Sequence, residues 1–167
     1  MAGRKVTPEF IVLHHSFTKD NVLLADSIAI RKYHTEKNGW ADIGYHFVVE
    51  QVAGIWSTSL GRPSNVSGAH CTHSNMNRRS LGVCIVGNYD AETLTLEGAS
   101  YLSRFLIALT AKHGIEPKKV IGHRDAGMMA GYDWREVGAT GERQFKSCPG
   151  VLFPMDLVRN MISGVNP

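Results

Sequence analysis

The sequence predicts a single α/β domain, a central mixed β-sheet flanked by helices, on three observations. Short apolar runs rich in β-branched residues recur at 10–13, 81–86 and 120–122, the pattern of strands buried on both faces. Longer segments with helical spacing lie between and after them. No repeat, linker or low-complexity tract interrupts residues 1–167, so one domain is expected to span them.

The first strand, Phe10-Ile11-Val12-Leu13, ends directly in His14-His15. A helix is predicted over 26–38, with Gly39 as the residue past its end, where a left-handed backbone favours glycine. Residues 45–49 read as a second strand, followed by a turn at Gly54, and residues 81–86 as a third, closed by Gly87-Asn88. From 96 to 113, Leu102, Phe105, Leu106 and Leu109 recur at helical spacing, and Gly114 ends the segment. A brief strand at 120–122 leads into His123. Residues 124–147 carry no clear periodicity and read as a long loop that shapes substrate access. The last segment sets Val151, Met155, Val158 and Ile162 on one helical face, with Pro149 where a helix first tolerates proline.

Apolar residues make up 43% and charged residues 20%, ordinary values for a globular chain. The net charge of +3 is too small to argue for nucleic acid, so no nucleic-acid partner is expected. Cys71, Cys84 and Cys148 are odd in number and irregular in spacing, which points to reduced thiols rather than a disulfide framework. The N-terminus has a basic start but no apolar segment of a signal peptide, and no apolar run approaches the length that crosses a bilayer. The expectations are cytoplasmic synthesis, no membrane insertion and a monomer.

Among the eight histidines and three cysteines, three residues stand out by position. His14 closes a buried strand, His123 follows another, and Cys148 precedes the Pro149 segment, where a helix dipole would favour its thiolate. Two imidazoles and one thiolate leave a fourth tetrahedral position open, the arrangement of a catalytic zinc site. There is no HExxH and no paired CxxC, so spacing alone leaves structural histidines and a buried cysteine as an open alternative.

The neighbourhoods add a resemblance. FIVLHHS, NGWADIGYHFVV, GAHCTHSNMNRRSLGVCIVGNYD, VIGHRDA and KSCPG resemble, in order, the landmarks of the N-acetylmuramoyl-L-alanine amidase type 2 family, over about 9–157. The resemblance implies a zinc ion held by His14, His123 and Cys148, an active-site tyrosine at Tyr45, a lysine at Lys146 and a cleft-lining, substrate-binding histidine at His70. Cys148 with Tyr45 is closer to the phage and recognition-protein branch than to cytosolic recycling enzymes, which carry aspartate and glutamate at these places. The 124–147 stretch is longer than in the compact phage enzymes.

The activity implied is zinc-assisted hydrolysis of the amide between N-acetylmuramic acid and L-alanine in bacterial peptidoglycan. Lys146 would stabilise the developing oxyanion, and Tyr45 would orient water or relay a proton. A phage-type endolysin, an antimicrobial protein that reaches the wall after the membrane is permeabilised, is the expected setting. Two rivals remain at this point. One is a recognition protein that holds peptidoglycan without cutting it. The other is a cysteine hydrolase pairing Cys148 with His123, which leaves His14 without a role.

The remaining histidines receive structural readings. His14 and His15 are adjacent on a strand and face opposite ways, so His15 is packed or hydrogen-bonded. By the same alternation Tyr45 and Phe47 share a face and His46 turns away. His70, Cys71 and His73 make an H-C-x-H cluster, which reads as a loop because the family has no metal there. Cys84 reads as core, and His34 and His113 as polar or half-buried helix positions.

Overall fold

Five strands form one sheet: β1 (Phe10–His15), β2 (Phe47–Val52), β3 (Ile55–Leu60), β4 (Ser80–Ile85) and β5 (Val120–Gly122). The computed structural model describes residues 7–21, 23–138 and 141–164. The strand order is β3-β2-β4-β1-β5, with β2 and β3 an antiparallel hairpin and every other pairing parallel. This is the predicted mixed sheet. The hairpin turns at Ala53 and Gly54, both with positive φ (52° and 76°), the conformation a two-residue hairpin needs.

Alternation along β1 decides what each face holds. Ile11 and Leu13, with Leu81, Val83, Ile85 and Val49, pack under α3 (Leu96–His113) and α5 (Met155–Ser163). Full burial of each such side chain contributes about 1.5–3 kcal/mol. On the other face Val12 and Ile121 meet Met76 of α2 (Met76–Arg79) and Ala126 of α4 (His123–Met129). Beside them, Val48, Cys84 and Val86 meet Ile43 and Ile30, the latter from α1 (Asp26–Lys32). His14 points to this second face, between the two apolar patches.

Several elements differ from expectation. The first helix turns α-helical only to Lys32 and then widens into a π turn over Tyr33–Lys37, before Gly39 takes φ 68°. β2 begins at Phe47, not at 45. Phe47 therefore packs against Phe105 of α3, at 5.2 Å between ring centroids, while Tyr45 lies on the His14 side. Tyr45 and Phe47 do not share a face, because alternation holds only inside the regular strand. The stretch read as a loop from 124 starts as α4, in which Gly127 lets the Phe145 ring sit directly on the backbone.

The last helix starts at Met155, so Pro149 is not its first turn and Cys148 gains nothing from a helix dipole. Tertiary bonds draw the backbone away. Val151 N–H donates to Asp90 Oδ1 (2.7 Å), Leu152 N–H donates to Tyr89 O (2.9 Å), and Gly150 has φ 119° where a Cβ would lie 2.4 Å from Tyr89 backbone.

α4 is tied to α5 through one carboxylate. Asp125 Oδ2 accepts from Gly122 N–H (2.8 Å) and from Arg159 (2.7 Å). Removing a capping side chain costs about 1–2 kcal/mol. Asp125→Ala should therefore lower Tm by about 2–8 °C in calorimetry. An unchanged Tm would show that α4 is held by packing alone. No helix among the described residues is long and apolar enough to cross a membrane.

Candidate metal centre and active-site cleft

Three different parts of the chain deliver the central side chains. The alternation that sends Leu13 into the core sends His14 to the opposite face, where it is 2% exposed. β5 ends at Gly122, so His123 leaves the sheet edge as the first residue of α4. Cys148 comes from the segment before α5. Its carbonyl accepts from Arg124 N–H (2.8 Å), and the neighbouring Ser147 Oγ donates to Asp90 Oδ2 (2.7 Å). Cys148 Sγ lies 3.6 Å from His14 Nδ1, and the His14 and His123 rings are 4.8 Å apart. One donor atom from each of His14, His123 and Cys148 falls within 4.8 Å of the other two, a group able to hold a metal ion.

Burial sets the protonation states. It holds the His14 imidazole far below its ordinary pKa, with His123 and His70 adding to the effect. His123 is pushed down to about 4 by burial first and by the Lys146 charge next. Both are neutral at neutral pH, with a lone pair to offer. Burial pushes Cys148 up to about 12, so without a cation it remains a thiol. A nucleophilic pair of Cys148 with His123 would leave His14, whose Nδ1 lies 3.6 Å from the sulfur, without a role.

The other predicted residues surround this group. Tyr45 has its ring 5.2 Å from that of His14 and its hydroxyl beside the Cys84 thiol. Burial raises its pKa far above 10, so the phenol keeps its proton. Lys146 is exposed on the cleft wall. His70 lines the cleft and is half-buried. Its Nδ1 is 3.0 Å from His14 Nε2, and its Nε2 is buried with no hydrogen-bond partner. With His14 Nδ1 turned to Cys148, the His14 Nε2–H donates to His70, which fixes the tautomer. Gly82 makes room for this ring, since a Cβ there would lie 2.5 Å from His70 Cδ2.

The supporting histidines behave as read. His15 Nδ1 accepts from Tyr89 N–H (3.2 Å). His46 Nδ1 accepts from Gly82 N–H (2.9 Å), and its Nε2–H donates to Val66 O (2.9 Å).

The cleft encloses about 950 Å³ and is walled by more than the predicted residues. His34 faces it from the π turn, with Nδ1 accepting from Gly44 N–H (3.1 Å) and its ring 4.8 Å from Trp40. Phe17 stands at the rim, 64% exposed, on a left-handed backbone (φ 60°) that a bulky residue rarely adopts. Tyr132, Arg143 and Phe145 form the opposite wall. Sequence reasoning missed His34 because no helical period announces a π turn. It missed Asp90, which grips the Cys148 segment, because a lone aspartate in a turn carries no signal of its own.

Fold and site together define an α/β domain with a buried His–His–Cys metal-donor group at the base of an open cleft. The family model for N-acetylmuramoyl-L-alanine amidase matches residues 3–151, and the chain belongs to that family. It is 34% identical over 147 residues to the endolysin of Enterobacteria phage K11, covering 83% of this chain and 90% of that one. It is also 34% identical over 121 residues to peptidoglycan-recognition protein SC2 of Drosophila melanogaster, covering 72% of this chain. The chain spans only 54% of the length of that relative. Among solved structures, the N-acetylmuramoyl-L-alanine amidase LysC from Clostridium intestinale shares the fold, with a TM-score of 0.70 at 24% identity over 95% of this chain and 87% of that one.

Proposed function

We propose that the chain is a zinc-dependent N-acetylmuramoyl-L-alanine amidase of the phage endolysin type, that residues 1–167 are one catalytic domain, and that it acts as a monomer on bacterial peptidoglycan. The convergence of His14, His123 and Cys148 carries the reading. A tetrahedral zinc with Zn–S of about 2.3 Å and Zn–N of about 2.0–2.1 Å separates sulfur from nitrogen by about 3.6 Å. The Cys148 Sγ to His14 Nδ1 distance is 3.6 Å. The endolysin likeness over nearly that whole protein supports the same reading.

A zinc ion bound there would supply Lewis-acid polarisation of the scissile carbonyl and an acidified water. The side chains do the rest. Tyr45, protonated and beside His14, orients the attacking water and relays its proton. The Lys146 ammonium, free on the cleft wall, stabilises the oxyanion as it forms. His70 borders the substrate cleft and acts through His14, whose tautomer it holds. Synthesised in the cytoplasm, the protein would reach the wall once the membrane is permeabilised, with no need for nucleic acid or membrane insertion.

Mass spectrometry of digested peptidoglycan tests the reading. Peptides with free L-alanine N-termini and peptide-free glycan strands are expected. Cleaved glycan strands would overturn it, and binding without any released product would instead favour a recognition protein.

The protonation states give a second test. His14 and His123 are already neutral at pH 7, whereas Cys148, near 12, must lose its proton to become a ligand. Zinc binding near neutral pH should therefore release one proton per catalytic site, and none from the imidazoles. Calorimetry of that site in buffers of different ionisation enthalpy reads this number. A value of zero would remove Cys148 from the ligand set.

A further inference from the structure

The H-C-x-H cluster does not behave as a plain loop. His70 turns to His14, while Cys71 and His73 turn towards His123. One donor atom from each of Cys71, His73 and His123 lies within 4.8 Å of the other two, the same closeness as in the first group. We propose that these three residues form a second metal site, for zinc or a softer divalent ion, sharing His123 with the first centre so that zinc in excess inhibits the enzyme.

The local backbone is built to hold the two new donors. Asn77 Oδ1 accepts from the N–H groups of both His70 and Cys71, each at 2.7 Å, and Asn77 N–H donates to Cys71 O (2.7 Å). Ser74 and Asn75 follow in left-handed conformations (φ 52° and 58°), which asparagine tolerates and serine adopts at a cost. Ser74 Oγ donates to Ala126 O (3.2 Å), tying the loop to the helix that starts at His123. The turn is thus fixed relative to its third donor.

Cys71 packs with Val12, Met76, Ile121 and Ala126, but neither new donor is committed to a short hydrogen bond. The Nδ1 atom of His73 is buried without a hydrogen-bond partner. The Cys71 thiol is 2% exposed and makes one long contact, 3.8 Å to His73 O. Buried imidazole nitrogens are ordinarily satisfied, so an orphan beside a thiol and a second imidazole points to a ligand. One sulfur and two nitrogens select zinc, cadmium and similar ions over magnesium or calcium.

Sharing sets the consequence. His123 serves both groups, so an ion at the second site draws on a ligand of the first. Inhibition rests on the reading of the first site as the catalytic centre; the second site itself does not.

Cadmium titrated into the metal-free full chain separates the two, because thiolate ligation gives an ultraviolet charge-transfer band. The wild type should show two thiolate-bearing steps. Cys71→Ser should lose one and Cys148→Ser the other. His73→Gln, at a half-buried position, guards against misfolding of the Cys71 variant and should weaken the second step by more than the roughly 10–100-fold that losing an outer partner costs. Excess zinc should inhibit the wild type and spare His73→Gln. A single step in the wild type, unaltered by Cys71→Ser or His73→Gln, overturns the proposal. Two wild-type steps that both survive Cys148→Ser, with one removed by Cys71→Ser, would strike the first centre and leave this site standing.

Discussion

Replacing His14, His123 or Cys148 by alanine is expected to remove the catalytic ion and with it nearly all hydrolysis. Lewis-acid stabilisation of the developing charge is worth several kcal/mol. Its loss should lower kcat/KM on the order of a thousandfold or more. The three side chains are 2%, 8% and 7% exposed, so each replacement also opens a buried gap. Circular dichroism of each variant beside the metal-free wild type separates lost ligation from lost fold. Zinc should be counted after purification without chelators, and read against the second site by pairing each variant with Cys71→Ser. A variant that keeps zinc and turnover would remove that residue from the centre.

Tyr45→Phe and Lys146→Ala should divide along a different line, keeping the ion and losing the reaction. The Tyr45 ring fills the space between His14 and His34, and phenylalanine preserves that packing while deleting the hydroxyl. Lys146 is exposed and contributes little to the core. Metal content should therefore match the wild type. A positioned proton-transfer group contributes typically 10²–10⁴-fold and an oxyanion donor about 10²–10³-fold, so kcat should fall by at least about a hundredfold in each. Wild-type turnover on purified peptidoglycan in either variant would cancel its catalytic role.

Much of the frame was legible. The Phe10-Ile11-Val12-Leu13 run, rich in β-branched residues, read as a buried strand, and it carried His14 towards a strand end. Leu102, Phe105, Leu106 and Leu109 marked α3 because helical spacing over many residues is hard to produce otherwise. β3 left no such mark: Ser57, Thr58 and Ser59 occupy an edge strand that is half exposed and needs no apolar alternation. α4 was hidden because seven residues are too few for a period to show. The start of α5 was misplaced because contacts with Tyr89 and Asp90, distant in sequence, decide where the backbone can coil.

The site divides the same way. The chemistry of His14, His123 and Cys148 could be suspected from residue type and position, and the ordered motifs gave the suspicion weight. The seat of His70 beside His14 could not, since it depends on Gly82 of β4 leaving its Cβ space empty. Nor could the turn of Cys71 and His73 towards His123, which depends on two non-glycine residues taking left-handed φ.

His14 lies on the first strand and Cys148 is 134 positions further along the chain. An ion gripped by both is a clasp closing a loop that contains most of the protein. An ion that binds only the folded form, present at a thousandfold excess over its Kd, adds about 4 kcal/mol to stability. Chelation would then do more than silence the enzyme. It would unfasten the first strand from the segment that precedes the last helix, and proteolysis of the metal-free protein should begin in that segment.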